Sequence, residues 1–281
     1  MNTLSNKRVI SVAVTGSWPT KADNPNVPIH PEEIAQSVFE SWQAGAAVAH
    51  IHVRDDEGRP CMDFDKYKRV VELIRANKEC DINLNLTTSG IGGLDDDLRI
   101  YPLEQLRPEL CSYDCGSMNW QNDAIFENHP RFLERLGLAC QELGIKPEIE
   151  IFDTGMLYSA LYYIKKGVLK APCHFQIVLG APGGMTVDLD HLLYLHRLLP
   201  ENCTWSACGI GKGHMPVMLT TIALGGHLRV GMEDNVMYHK GIPAKSNAQF
   251  VARAKRLLEE AGYQAASPEE ARQIYGLRPR T

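Results

Sequence analysis

Short runs of apolar, β-favouring residues alternate with longer segments of helical periodicity along the whole chain. The strand candidates are 9–16, 47–54, 82–87, 110–115, 147–153, 174–180, 203–211 and 227–232, each bounded by Gly, Pro, Asp or Asn. Between them, Pro31-Glu32-Glu33 opens a helix in which Ile34, Val38, Phe39 and Trp42 recur at helical spacing and Gly45 follows. Proline at a first helical position followed by carboxylates suits the positive start of a helix. A second helix is predicted from Phe64 to Lys78, with Val70, Val71 and Ile74 on one face. Further helical patterns cover 130–143, 157–169, 188–199, 215–224 and 247–261, while 97–106 is the least helical and is interrupted by Pro102.

Eight strand–helix units in succession, with no break in composition, predict a single-domain α/β fold, a closed (β/α)₈ TIM barrel over residues 1–281. An open doubly wound sheet shares the same periodicity. No GxGxxG follows the first strand, which argues against a dinucleotide site. The longest strand–helix connection follows strand one, at about 17–30, and is rich in Pro and Asn, as a lid or pocket wall would be.

The length of 281 residues is close to the usual barrel size of about 250. A net charge of -5 gives no reason to expect nucleic acid as a partner. No apolar run approaches the ~20 residues that span a bilayer, and the apolar N-terminal stretch reads as a first strand rather than a secretory signal. The eight cysteines form no CxxC pair, so they read as free thiols in a reducing compartment and the protein as cytoplasmic.

Candidate chemistry centres on His50-Ile51-His52. Residues i and i+2 of a strand face the same side, so the two imidazoles point together, as metal ligands or as hydrogen-bonded core histidines. Glu233-Asp234 follows strand eight, which in a barrel lies beside strand one and close to strand two, so this acidic pair converges on the same mouth or simply caps a loop. Arg229 lies inside strand eight, where a charge needs a partner. Asp234 fits that role, and a neighbouring cation would hold it ionised as a base. His214 lies near the seventh-strand loop, while His227 and His239 have no matching spacing. Gly180-Ala181-Pro182-Gly183-Gly184 offers backbone amides to an anion or makes a tight turn, and Lys212 in GIGKGH offers a charge to a phosphate.

Several segments together resemble the β-keto acid cleavage enzymes almost end to end: TGSWPTKADNPNVPIHPEE, AHIHVRDDEGRP, PEIEIFDTGM, QIVLGAPGGM, GIGKGHMP and GGHLRVGMEDNVMYHKG. The resemblance implies a zinc-dependent (β/α)₈ barrel, expected as a homo-oligomer (dimer or tetramer), that uses acetyl-CoA as co-substrate. It implies Zn²⁺ on His50, His52 and Glu233, and proton abstraction by Asp234 paired with Arg229. It implies condensation of a β-keto acid with acetyl-CoA to give acetoacetate and a new acyl-CoA. Thr87, Thr88, Gly90, Ser112 and Asp114 match positions around the substrate carboxylate, and Glu150 matches a pocket-facing acid.

The sequence departs from members that act on 3-keto-5-aminohexanoate. Trp18 stands where they have the Glu that meets the substrate ammonium, Asp114 where they have Asn, and Thr87 where they have Ser. Loss of the countercharge implies a neutral or apolar tail. A cationic tail held on the Trp18 face or by Glu150 is the alternative. A CoA-independent metal hydrolase or aldolase, and a barrel that only binds a metabolite or metal, are the rival readings.

Overall fold

A computed structural model of the chain describes residues 4–89 and 94–279. Gly90, expected near the substrate carboxylate, lies outside the described residues. Eight parallel strands close into a barrel: β1 (Ile10–Ala13), β2 (Val48–Ile51), β3 (Asn83–Leu86), β4 (Leu110–Asp114), β5 (Lys146–Ile151), β6 (His174–Leu179), β7 (Thr204–Gly209) and β8 (His227–Val230). Neighbours follow chain order, and β8 pairs with β1 to close the ring, with Arg229 opposite Ser11.

The strands alternate sharply. One set of side chains, including Ile10, Val12, Ala49, Ile51, Leu84, Leu86, Phe175 and Ile177, belongs to the main hydrophobic core shared with the surrounding helices. Each Val, Leu, Ile or Phe so buried contributes about 1.5–3 kcal/mol. The other set is largely polar and meets inside the barrel, between neighbouring strands as Ser206 does with Gln176 and over an intervening strand as Asn85 does with Glu148. The interior is therefore a stack of hydrogen-bonding groups inside an apolar shell.

Helices α1 (Pro31–Ala44), α2 (Phe64–Ala76), α3 (Asp96–Leu106), α4 (Pro130–Leu143), α5 (Thr154–Lys166), α6 (Leu189–Leu198), α7 (His214–Ala223) and α8 (Asn247–Glu260) follow the strands in turn. Two differ from the sequence-based expectation. α3 forms in full with Pro102 inside it, its start capped by the Asp95 side chain on the Asp97 amide and its buried Arg99, Ile100 and Leu103 turned inward. α5 begins a turn earlier than its apolar periodicity, because the Asp153 side chain accepts from the Met156 amide and caps the start.

A further helix, α9 (Pro268–Tyr275), was not anticipated. Its start carries a full capping box: Ser267 accepts from the Glu270 amide, and Glu270 accepts back from the Ser267 amide. α9 closes the N-terminal end of the barrel, where Tyr275 packs with Val9, Ala47, Val48 and Leu110 in a separate small core. No helix among the described residues is long and apolar enough to cross a membrane.

Candidate metal centre and active site

The strand ends bring the two motif histidines together. His50 is on β2 and His52 just beyond it, both buried, and their Nε2 atoms face each other at 3.1 Å. Glu233, just past the end of β8, places Oε1 3.5 Å from each of those two nitrogens. Its Oε2 is buried without a hydrogen-bond partner. Burial pushes the pKa of His50 down to about 3, with Glu233 opposing and Arg229 and His52 assisting, so its ring is neutral and offers a lone pair. Burial alone would raise the Glu233 carboxyl, but His52, Arg229 and His50 outweigh it and hold it well below the usual range. Two imidazole nitrogens and an ionised carboxylate oxygen thus converge on one point, the donor chemistry of a catalytic zinc-type site with open positions. His50, Glu148 and Glu150 form a second group of candidate donors that shares His50.

Local backbone conformation makes this convergence possible. Gly231 has φ +145, and a Cβ there would lie 2.0 Å from the Ala13 carbonyl oxygen. This close passage lets the chain turn directly after β8, where the Asp234 amide donates to the Gly231 carbonyl. Gly16 has φ +64, and a Cβ there would sit 2.4 Å from the Glu233 Cγ. Only glycine leaves room for the Glu233 side chain to cross above β1. The buried Arg54 fixes the loop after β1 by donating to the carbonyls of Gly16, Pro19 and Gly58 at 2.7, 2.9 and 2.9 Å. That loop brings the Ser17 hydroxyl 3.1 Å from His52 Nδ1. Gly16, Ser17 and Arg54 escaped the sequence reading, although the TGS run after strand one was the available signal.

Arg229 is the hub beside the metal candidate. It donates to Asp234 through Nε and Nη2, both at 3.2 Å, and to Glu233 through Nη2 at 2.5 Å. Its Nη1 lies 3.4 Å from Glu150. The expected Arg229–Asp234 pair is therefore present, as one part of a larger cluster. The electrostatic expectation is corrected: Arg229 does lower the Asp234 pKa, but burial raises it more and Glu233 adds to the rise, so the net shift is upward. A buried carboxylate so shifted is a stronger base than an exposed one. Glu150 is likewise pushed well up by burial against the pull of Arg229.

The third- and fourth-strand residues also meet. The Thr88 amide donates to the Ser112 hydroxyl at 3.0 Å, the Thr88 hydroxyl donates to the Ser112 carbonyl at 2.9 Å, and the Thr87 and Ser112 hydroxyls are 3.4 Å apart. Asp114 is buried on β4 opposite Glu150, and its Oδ2 has no hydrogen-bond partner. Burial raises its pKa to about 6 against the pull of Arg99, His52 and Arg229. Trp18 lies in the loop after β1 and is 58% exposed.

The remaining candidates stand apart. His227 is at the start of β8 and accepts from the Val9 amide through Nδ1 at 3.0 Å, while His214 faces Arg253 and Phe250. His239 is on an exposed hairpin against Tyr238. The Gly180 and Gly184 amides donate to Met185 and Ala181 carbonyls within a tight turn. Lys212 is exposed on a short 3₁₀ turn, Gly211–Gly213.

The family model described as beta-keto acid cleavage enzyme matches residues 7–277. The 3-keto-5-aminohexanoate cleavage enzyme of Fusobacterium nucleatum subsp. nucleatum is 40% identical over 273 residues, covering 97% of this chain and 98% of that protein. The 3-oxoadipate:acetyl-CoA acetyltransferase of Cupriavidus necator is 36% identical, covering 96% of this chain and 94% of the other. The apo structure of ObcA superposes with a TM-score of 0.77 at 21% identity, over 90% of this chain and 66% of that one, and so speaks for the fold. With its barrel, its motifs and a match over nearly its full length, the chain belongs to the beta-keto acid cleavage enzyme family.

Proposed function

We propose that this enzyme condenses a β-keto acid with acetyl-CoA, yielding acetoacetate and a new acyl-CoA. The observation that carries the reading is the convergence of His50 Nε2, His52 Nε2 and Glu233 Oε1 beside the Arg229–Asp234 pair. His50, His52 and Glu233 suit Zn²⁺, which when bound supplies a Lewis acid for the oxygens of the keto acid.

The chain's own residues account for the other requirements. Thr87, Thr88 and Ser112 offer hydroxyl and amide groups to the substrate carboxylate. Asp234 takes a proton from the carbon between the keto and carboxylate groups, and Arg229 fixes the direction of its carboxylate. The resulting carbanion attacks the acetyl carbonyl of acetyl-CoA, forming a carbon–carbon bond and expelling the CoA thiolate. The thiolate then attacks the original keto carbon. The bond between that carbon and the former carbanion breaks, giving the new acyl-CoA, and Asp234 returns its proton to acetoacetate.

The named relatives differ in the tail, aminated in one and a second acid in the other, so overall similarity leaves the tail open. Trp18 supplies an indole rather than a carboxylate at the tail position suggested by resemblance, which favours a neutral or apolar tail. The test is acetoacetate formation across β-keto acids with neutral, cationic and anionic tails, with and without acetyl-CoA. Fastest turnover on a neutral tail, strictly dependent on acetyl-CoA, is expected. Preference for the aminated acid overturns the tail assignment, and product without acetyl-CoA overturns the transfer reaction in favour of a hydrolase or aldolase.

A further inference from the structure

We propose that Glu148 is a positioning residue for the candidate metal centre: its carboxylate accepts a hydrogen bond from the Nδ1–H of His50 and thereby keeps the Nε2 lone pair directed at Glu233 and His52. This rests on the reading of His50, His52 and Glu233 as metal ligands.

Four observations support it. Glu148 is on β5, fully buried, and its Oε1 lies 3.9 Å from His50 Nδ1. His50 Nδ1 and Glu148 Oε2 are both buried without a hydrogen-bond partner. The Asn85 amide donates to Glu148 Oε1 at 2.7 Å, and His174 Nε2 lies 3.6 Å from Oε2, so the carboxylate is held from two sides. Finally, the other motif histidine already has its back partner, the Ser17 hydroxyl on His52 Nδ1.

The separation of 3.9 Å is roughly 1 Å longer than a hydrogen bond. Glu148 is anchored by Asn85, so in the proposed arrangement it is the His50 ring that moves to close this gap. An imidazole has one N–H and one lone pair when neutral, so the partner on one nitrogen decides which face is left to bind a cation. A carboxylate in that place also increases the donor strength of the other nitrogen, and loss of such a partner typically weakens metal binding by about 10–100-fold. Glu148 and Glu150 could instead join His50 as ligands of a different ion. Against this, His174 Nε2 stands 3.6 Å from Glu148 Oε2 and Glu150 lies against the Arg229 guanidinium.

The experiment is zinc affinity of the metal-stripped full-length protein, measured by competition with a chromophoric chelator, for wild type and Glu148→Gln. Glutamine keeps the shape and can still accept from Asn85, but turns an N–H or a weaker acceptor toward His50. The expected result is one zinc per chain in both, with affinity about 10–100-fold weaker in the variant. Affinity within twofold of wild type overturns the proposal. A wild type that takes two ions, both lost in the variant, also overturns it by making Glu148 a ligand. If the variant does not fold, ¹⁵N spectra of the zinc-loaded wild type decide: His50 protonated at Nδ1 and bound through Nε2 supports the proposal, and binding through Nδ1 overturns it. A wild type that binds no zinc brings down the metal reading itself, a failure distinct from unchanged affinity in the variant.

Discussion

His50 and His52 at the C-terminal end of the barrel, and His174 and His227 at its N-terminal end, are the same residue type inside the same fold, all buried. Their ring nitrogens are used differently. At the N-terminal end, His227 Nδ1 accepts from the Val9 amide, His174 Nδ1 and Nε2 lie 3.0 and 3.2 Å from the Thr204 and Ser206 hydroxyls, and the His174 ring stacks on Tyr275 at 4.0 Å. At the C-terminal end, two Nε2 atoms point at each other and at a carboxylate, with Asp114 Oδ2 and Glu233 Oε2 also lacking partners. Burying polar groups without compensation costs free energy. The two histidines at one end meet that cost with protein partners, whereas the pair at the other end is aimed at a shared space, as a ligand-binding end requires.

The largest expected consequence of this difference is catalytic. Asp234→Asn keeps the shape of the cluster but removes the base, so turnover with a β-keto acid and acetyl-CoA falls on the order of 10²-fold or more while metal content stays at the wild-type level. Equal turnover would mean the open end does not work through Asp234. At the closed end the effect is on stability alone. His227→Ala leaves the buried Val9 amide without its acceptor and is expected to cost about 1–3 kcal/mol in denaturant unfolding, again with metal retained. Loss of metal in that variant would erase the distinction between the two ends.

A smaller effect tests the unpartnered carboxylate. Asp114 has its pKa raised to about 6, so the folded state holds this proton more tightly than the unfolded chain. Its contribution favours folding below about pH 4 and is lost as pH rises through 6. Asp114→Asn removes that dependence. Relative to wild type, the variant gains stability as pH increases from 4 to 7, by up to about 1–3 kcal/mol, measured by urea unfolding at each pH. A difference independent of pH would show that Asp114 is not held in this strained ionisation.

Much of the open end was legible in the sequence because it is written locally. A two-residue period puts His50 and His52 on one face, and a chain-order barrel puts β8 beside β1, bringing Glu233 and Arg229 to them. What was not legible depends on register and close approach. Glu148 meets His50 across the barrel through no sequence spacing, Gly16 matters because Glu233 passes over it, and Ser17 depends on a loop fixed by Arg54. The upward shift at Asp234 follows from how deeply the whole cluster is buried, which the neighbouring Arg229 alone does not reveal. α9 was missed although Ser267, Pro268 and Glu270 spell a helix start, because it follows the eighth strand–helix unit and adds no strand to the barrel.

The claim on which the rest depends is that the open end holds one divalent ion between His50, His52 and Glu233. Elemental analysis of purified wild type and Glu233→Gln after dialysis against zinc tests it most directly. The account predicts one zinc per chain in the wild type and a large loss in the variant with its fold intact. A wild type that turns over substrate with no bound metal, or a variant that keeps its full equivalent, would contradict it.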